Sequence, residues 1–308
     1  MKFNQNIKPI YFVLPTVLFS LACSSGGGST GPEKPRITEG PTSESVQFEV
    51  AQISWKTNVK SSSTVRYGTT SGQYDFEQTK ELLQTIHEVQ LFNLTSNTDY
   101  FYIVESENEQ GIITSSQQQF MTLKSLADFI NGAWLEYNNG NFSAAITKFN
   151  DAINESPSGP GIEDAFNGLG WSYASNSIDS LDQAIENFSG AIIRRPTFLE
   201  PYAGRGFTYL AKKKYSDAIS DLDHVLQLDA NFEFSHNAQI NVDDVRLGLA
   251  EGYFVKQDLD LAQAQVTQLA PNNGLDASNA ATWVVDSVTY LTYAEALLAW
   301  IEKLKLSN

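Results

Sequence analysis

The second half of the chain repeats one short pattern of small and apolar residues. The pattern Ala145-Ile-Thr-Lys-Phe149-Asn-Asp-Ala152 recurs at residues 184–191 and 218–225, and more faintly at 262–269. The two central copies begin 34 residues apart, and the outer spacings are 39 and 44 residues. Such spacings, with apolar residues at helical intervals, predict stacked helix pairs that bury their apolar faces against one another. We therefore expect an all-α solenoid over residues 123–308.

Two stretches in this region match a known family. Leu169-Gly170-Trp-Ser-Tyr173 and Arg205-Gly206-Phe-Thr-Tyr209 resemble the Leu-Gly-x-x-Tyr pattern of tetratricopeptide repeats, the second with arginine in place of leucine. The resemblance implies that the glycines let paired helices approach closely. It also implies that Phe149, Phe188 and Leu222 fill the gaps between repeats.

Two helix starts can be read from the sequence. Ser125-Leu-Ala-Asp128 and Thr292-Tyr-Ala-Glu295 have the pattern of a capping box, in which two side chains satisfy the first backbone N–H groups. The second should begin a last helix that runs to about Leu306 and caps the open end of the stack. Its predicted buried stripe is Leu297, Leu298, Ile301 and Leu304.

The same resemblance implies a binding groove. In this family the ninth and twelfth positions of each repeat face the concave surface. With the glycines at position eight, the groove residues are Trp134, Tyr137, Trp171, Phe207, Leu210, Glu251 and Phe254. We expect this aromatic groove with an acidic end to bind an envelope protein or peptide. The alternative is that the aromatics pack against the preceding domain or against the loop 229–242.

Residues 36–122 have a different period. Short runs of alternating apolar residues, such as Ala51-Gln-Ile53-Ser-Trp55, are separated by glycine, asparagine and proline turns. This pattern predicts an all-β sandwich of antiparallel strands.

Three stretches of this region resemble a fibronectin type III module. They are Ile53-Ser-Trp55-Lys-Thr-Asn58 for strand B, Ser63-Thr-Val-Arg-Tyr67-Gly68 for strand C, and Leu94-Thr-Ser-Asn-Thr-Asp-Tyr100-Phe-Tyr102 for the corner between strands E and F. At that corner the resemblance implies a tyrosine hydroxyl bonded back to the backbone. The phrases are most similar to the fibronectin-like modules that precede some secreted phosphatases. Residues after 122 do not supply the His and Asp ligands of the phosphatase domain, and the module itself is a general scaffold.

The N-terminus has the features of a secretion signal. Lys2 and Lys8 precede a short apolar run that ends at Cys23, the only cysteine of the chain. This arrangement predicts a signal peptide at residues 1–22. Ser20-Leu-Ala-Cys23 resembles a bacterial lipobox, with Ser20 in place of the preferred leucine. The resemblance implies acylation of Cys23, and residues 23–35 would then be a flexible tether. The alternative is an ordinary signal with a coincidental cysteine.

Composition and spacing argue against several functions. The formal net charge of −16 disfavours nucleic acid as a partner, because phosphates need clustered lysine and arginine. His87, His224 and His236 fall in three different elements, and we expect them at the surface or partly buried. Asp229-Ala-Asn231-Phe-Glu233 begins like a calcium loop, but Phe234 stands where the loop needs glycine. We therefore expect no metal, no cofactor and no enzymatic activity.

These features predict a multidomain, lipid-anchored adaptor of the cell envelope, with the sandwich as a stalk or second contact. Ser24 after the cysteine favours the outer membrane, by analogy with enteric sorting rules, and leaves the membrane face open. The alternative is an accessory protein that presents a glycan or polymer to a separate enzyme. Exposed aromatics on one sandwich face would favour that alternative. A cryptic hydrolase would need a cleft with clustered carboxylates or histidines.

Overall fold

The computed structural model describes residues 32–307. The predicted signal peptide, Cys23 and most of the predicted tether lie outside these residues. A β-sheet region is followed by a helical region, so the predicted change of fold class along the chain is confirmed. Among the described residues, no helix combines the length and the apolar character that crossing a membrane requires.

The N-terminal region is built from antiparallel strands. In the described residues they are β1 (Ile37–Glu44), β2 (Ala51–Gly68), β3 (Phe76–Leu91), β4 (Asp99–Asn108), β5 (Gly111–Thr114) and β6 (Gln118–Met121). The first half of β2 lies between β1 and β3, and its second half lies between β3 and β4. The β2–β3 register shifts between Lys56, Ser61 and Ser63. These two long strands therefore serve both halves of the sheet.

The two halves of the sheet enclose one core. Burial alternates along β2 as predicted, with Ala51, Ile53 and Trp55 facing inward, because successive side chains of a strand point to opposite faces. The Trp55 indole N–H donates to Ser106 Oγ on β4 over 2.9 Å and so joins the halves. At the predicted corner the Thr95 backbone N–H donates to the Tyr100 hydroxyl over 2.9 Å.

Four helix pairs and a final helix follow in the described residues. They are α1 (Leu126–Asn138), α2 (Phe142–Glu155), α3 (Ile162–Asn176), α4 (Leu181–Arg194), α5 (Glu200–Ala211), α6 (Tyr215–Leu228), α7 (Val242–Val255), α8 (Leu259–Leu269) and α9 (Tyr293–Ser307). Both predicted capping boxes are present. The Asp128 N–H donates to Ser125 Oγ and the Ser125 N–H to Asp128 Oδ2, and Thr292 and Glu295 exchange the same two bonds.

Glycine and aromatic residues interlock within and between the helix pairs. Phe188 is fully buried, and a Cβ added at Gly170 would lie 2.4 Å from its ring, as the predicted close approach requires. A second set of glycines faces the preceding repeat. Gly168 meets Phe149, Gly204 meets Phe188 and Gly248 meets Leu222, each at a distance that excludes a Cβ. The resemblance implied that Phe149, Phe188 and Leu222 fill the gaps between repeats, but the glycines that meet them there were not predicted.

Arg205 occupies the position where the repeat pattern has leucine. Its guanidinium donates twice to Asp221 on α6, from Nε over 2.7 Å and from Nη2 over 2.8 Å. Nη1 donates to Ser189 Oγ on α4 over 2.9 Å. The arginine thus replaces an apolar contact with an ion pair that joins three helices.

The end of the stack differs in part from the prediction. Residues 270–292 contain a small hairpin, β7 (Val284–Val285) with β8 (Val288–Thr289), which the sequence did not indicate. In α9, Leu297 and Ile301 are buried as predicted. Leu298 is 40% exposed and Leu304 is half-buried, whereas Ala296 is fully buried. The buried stripe is therefore rotated toward Ala296, because α9 packs on both α7 and α8.

Candidate functional site

The first helices of the repeats bring the predicted groove residues to one face. Trp134 and Tyr137 meet edge to face with ring centroids 5.3 Å apart, and Trp171 lies 6.4 Å from Phe207. We call the seven predicted residues the groove row: Trp134, Tyr137, Trp171, Phe207, Leu210, Glu251 and Phe254. Within this set, Trp134 contacts Tyr137 and Trp171 contacts Phe207.

At its other end the groove row contacts the last helices of the chain. Leu210 and Phe254 are half-buried, and Leu210 packs against α7 at Gly248. Glu251 accepts a hydrogen bond from Lys305 of α9 over 3.0 Å. The acidic end of the row is therefore paired with the C-terminal helix.

The segment between α6 and α7, residues 229–241, covers the aromatic part of the groove row. Phe234 is fully buried and stacks on Trp171, with ring centroids 4.3 Å apart and planes inclined by 20°. His236 stacks on Trp134, with ring centroids 3.6 Å apart and planes inclined by 8°. Trp134, Tyr137 and Trp171 are consequently only 3–7% exposed. The groove expected to be open is closed here, and the structure shows the alternative packing against this segment.

Backbone hydrogen bonds hold the covering segment in place. The Ser235 N–H donates to Glu200 Oε1 at the start of α5 over 3.0 Å. Within the segment, the Phe234 N–H donates to the Ile240 carbonyl over 2.9 Å. Phe234 occupies the position at which a calcium loop would need glycine, and it is buried in the groove row. Among residues 32–307, no group of three or more His, Cys, Asp or Glu could hold a metal ion.

A pocket with three carboxylates in its lining opens beside the covering segment. The Trp134 indole N–H donates to both carboxylate oxygens of Asp164 over 3.2 Å, and burial raises the pKa of Asp164 to about 6. A cavity of about 360 Å³ lies next to it, lined among others by Asn131, Glu163, Asp164, Arg195, Glu200 and His236. The carboxylates of Glu163, Asp164 and Glu200 outnumber the one arginine of the lining, and Arg195 forms an ion pair with Glu163 over 3.3 Å. The pocket therefore favours neutral or cationic groups.

Two buried polar atoms under the covering segment have no hydrogen-bond partner among the residues that the structure describes. They are the Trp171 indole Nε1 and the Asn167 carbonyl Oδ1, one helical turn apart on α3. A buried tryptophan N–H usually finds an acceptor. Leaving it unpaired costs about 1–3 kcal/mol. The closed groove therefore leaves a donor unused directly beneath Phe234.

The histidines do not form a catalytic group. His87 is fully buried between the hydroxyls of Thr57 and Ser63, at 2.8 and 2.7 Å, and stacks on Trp55. Burial lowers its pKa to about 4, so the ring is neutral at physiological pH. His224 packs on Tyr202 at 4.3 Å. The prediction that His87 lies at the surface or is only partly buried was wrong, because β2 bends and places hydroxyls on both ring nitrogens.

The sandwich offers little for a glycan. Its only tryptophan, Trp55, is 2% exposed. Phe48 and Phe92 are exposed near one end of the β2–β3 ladder and Phe76 at the other end. These exposed aromatics thus lie at two ends of the ladder, and a group of them on one face is what would favour the glycan-presenting alternative.

Comparison with known proteins agrees with the β part of the chain. The model of the purple acid phosphatase N-terminal domain family matches residues 42–122. This match agrees with the resemblance to modules that precede secreted phosphatases. No curated protein matches the chain.

Solved structures similar to the chain include repeat proteins of bacteria. A tetratricopeptide repeat protein from Parabacteroides merdae is 12% identical, with a TM-score of 0.41, and the match covers 59% of this chain and 60% of that one. PilF of Pseudomonas aeruginosa is 16% identical (TM-score 0.39, 48% of this chain, 62% of that one). MamA of Desulfovibrio magneticus is 15% identical (TM-score 0.40, 48% and 75%).

The chain thus spans less than two thirds of the length of the first two of these structures. TM-scores below 0.5 do not support an assignment of the helical region to a family. Its description as stacked helix pairs depends on the packing given above.

Proposed function

We propose that this protein is a lipid-anchored adaptor of the cell envelope that binds a protein partner through the groove row. The observation that carries the proposal is the shared register of Trp134, Trp171 and Phe207 in three successive repeats. Core packing between repeats already has its own residues, Phe149 and Phe188, so the aromatic residues of the first helices would be free to bind a partner when residues 229–241 do not cover them. Aromatic anchors of this kind carry much of the affinity at protein interfaces.

The anchoring part of the proposal rests on Ser20-Leu-Ala-Cys23. The expected anchor is acylated Cys23 in the outer membrane, with residues 36–122 as the stalk or a second contact. Replacing Cys23 with serine should move the protein from the membrane fraction to the soluble fraction or leave the precursor uncleaved. A Cys23→Ser protein that is cleaved after residue 22 and stays with the membrane would refute the anchor.

The binding part is tested by capture from envelope extract with the acyl-free mature chain. Trp171→Ala should weaken capture roughly 30-fold, which corresponds to about 2 kcal/mol. The matched control is Leu135→Ala, which truncates a side chain of α1 that is 59% exposed. Thermal melting of both variants identifies any loss of capture that follows from unfolding. Equal capture by the folded Trp171→Ala chain and the wild type would count against the groove as the binding site.

A further inference from the structure

Residues 231–237, Asn-Phe-Glu-Phe-Ser-His-Asn, lie on the groove row as a bound peptide would. Burial alternates along them: Phe232 and Phe234 are buried, whereas Glu233 and Ser235 are exposed. Alternating burial over residues 232–235 is the pattern of a segment seated with one face on a surface, and the Asn237 N–H then closes a turn by donating to the Phe234 carbonyl over 3.0 Å. We call these residues the covering peptide.

The contacts of the covering peptide are ones that a separate peptide could make. Two rings at alternate positions, Phe234 and His236, stack on Trp171 and Trp134. Between them, one backbone N–H, that of Ser235, donates to Glu200. A backbone bond recognises a peptide of any sequence, and the two stacks select ring side chains two residues apart, here carried on the turn that begins at Phe234.

The neighbouring helices do not depend on the covering peptide for their ends. The Asp229 N–H closes α6 by donating to the Val225 carbonyl over 2.9 Å. Asn241 caps α7 through its own side chain, which accepts from the Asp243 N–H. Glu233 also pairs with Asn241, the residue that caps α7. If the covering peptide leaves the groove row it breaks that pairing, but it breaks neither the bond that closes α6 nor the side-chain cap of α7.

The groove row also has an unused donor beneath the covering peptide. Trp171 is 5% exposed, and its indole N–H has no partner within the described part of the chain. An occupant that brings an acceptor to this N–H gains a hydrogen bond that Phe234 cannot make. The closed arrangement is thus not the best complement of the groove row.

The charges around the groove row restrict its occupant. Glu163, Asp164 and Glu200 line the cavity beside His236, with Arg195 as the single cation among the lining residues. A carboxylate beside the second ring would be repelled, and a guanidinium or ammonium group would be attracted. Like charges in a partly desolvated site are strongly unfavourable.

From these observations we propose that the covering peptide is an internal competitor for the groove row. The partner that would displace it is a protein segment that turns as the covering peptide does. It carries two ring side chains two residues apart, with neutral or basic residues beside the second ring. The proposal rests on the proposed function and names the chemistry of the partner. A tethered occupant competes at an effective concentration of about millimolar, so the competing segment must bind better than the covering peptide does.

The test supplies the covering peptide in trans. The probe is a fluorescein-labelled peptide with the sequence of residues 229–241, and binding is followed by anisotropy with the full mature chain. The wild-type chain should show little binding, because its groove row is occupied. A chain carrying Phe234→Ala and His236→Ala should bind the peptide at least about 30-fold more tightly. Adding Trp171→Ala to that chain should abolish binding, and a peptide with alanine at both ring positions should not bind.

Two peptide variants test the charge rule. In the labelled peptide, His236→Arg should preserve binding to the chain that carries Phe234→Ala and His236→Ala, which we call the opened chain. His236→Glu in the peptide should weaken that binding at least tenfold. Equal binding of the two variants would overturn the assignment of the pocket as selective against acidic segments.

Whether the opened chain folds is a further test of the proposal. The Phe234→Ala, His236→Ala chain should melt cooperatively, and failure to do so would make the covering peptide part of the folding core and overturn the proposal. Hydrogen exchange on the wild-type chain gives a second measurement. The amides of Phe234 and Ser235 should exchange at least tenfold faster than those in the middle of α3. Equal protection of these amides and of those in the middle of α3 would also overturn the proposal.

The outcomes separate this inference from the proposed function. Capture of an envelope protein without binding of the peptide in trans would refute only the internal competitor. Binding of the peptide without capture of any envelope protein would refute the adaptor role while leaving the competitor in place.

Discussion

The packing of Phe188 between two glycines makes a quantitative prediction about stability. A Cβ at Gly204 would lie 2.3 Å from Cζ and 2.5 Å from Cε1 of the Phe188 ring. The ring cannot move away, because the backbone of α3 at Gly170 bounds its other side, where an added Cβ would be 2.4 Å distant. Phe188 is also fully buried, so it cannot swing toward solvent. Gly204→Ala must therefore push α5 away from α4.

We expect this change to lower the free energy of unfolding by about 2–3 kcal/mol, the upper part of the range for overpacked cores. For a helical region of this size that corresponds to a decrease in Tm of roughly 4–10 °C. Helix propensity by itself acts in the opposite direction, since alanine is favoured over glycine by about 1 kcal/mol in a helix interior. A net decrease in the free energy of unfolding would therefore show that the packing penalty exceeds the gain in helix propensity.

Gly132→Ala is the matched control. Gly132 lies within α1, and an added Cβ there would meet no atom within 4 Å. This variant should raise the Tm slightly, because only the propensity term remains. Circular dichroism at 222 nm during heating measures both variants. A Gly204→Ala chain that melts at or above the wild-type temperature would show that the repeats can separate at no cost, and the proposed interlocking would be wrong.

A double variant tests the cause. Phe188→Leu removes the flat ring that the new methyl group would strike. Combined with Gly204→Ala, it should cost less than the sum of the two single changes, since contacting residues are not additive. Strict additivity would mean that Gly204 and Phe188 do not constrain each other.

Two further predictions concern the sandwich. Because burial lowers the pKa of His87 to about 4 from an ordinary 6.5, the unfolded chain binds a proton over this range and the folded chain does not, so the free energy of unfolding should fall by up to about 3 kcal/mol as the pH drops from 6.5 to 4. NMR titration of the imidazole and urea unfolding of wild type and His87→Gln measure this, and a wild-type ring that titrates near 6.5 contradicts it. Tyr100→Phe removes the acceptor of the Thr95 N–H and should cost about 1–2 kcal/mol in urea unfolding, whereas Tyr74→Phe, which loses only an exposed bond to Gln117, should cost under about 0.5 kcal/mol. Equal effects of the two tyrosine changes would show that the corner contributes nothing special.

The sequence predicts those features that depend on neighbours in the chain or on a regular period. The alternation of Ala51, Ile53 and Trp55 indicates a strand because side chains alternate on every strand. The capping boxes at Ser125 and Thr292 depend on residues three positions apart. Phe188 and Leu222 could be assigned to the core because they recur at one place in each helical repeat. The two fold classes follow from such patterns, whereas the groove row remains a prediction drawn from the resemblance to tetratricopeptide repeats.

Only the tertiary structure reveals how distant elements meet. The bend that lets β2 and β3 serve both halves of the sheet comes from shifts in strand register, which no single strand encodes. Gly204 could be read as a helix residue, but its contact with Phe188 depends on how two repeats stack.

Whether the groove row is open or covered is likewise decided by the tertiary structure. Residues 229–241 have no period that predicts where they lie, and Phe234 is far from Trp171 in the sequence. Their stacking is decided by shape and by the Glu200 carboxylate that holds the Ser235 N–H. The sequence could place aromatic side chains along one face of the repeats, whereas their cover is set by contacts between residues far apart in the chain.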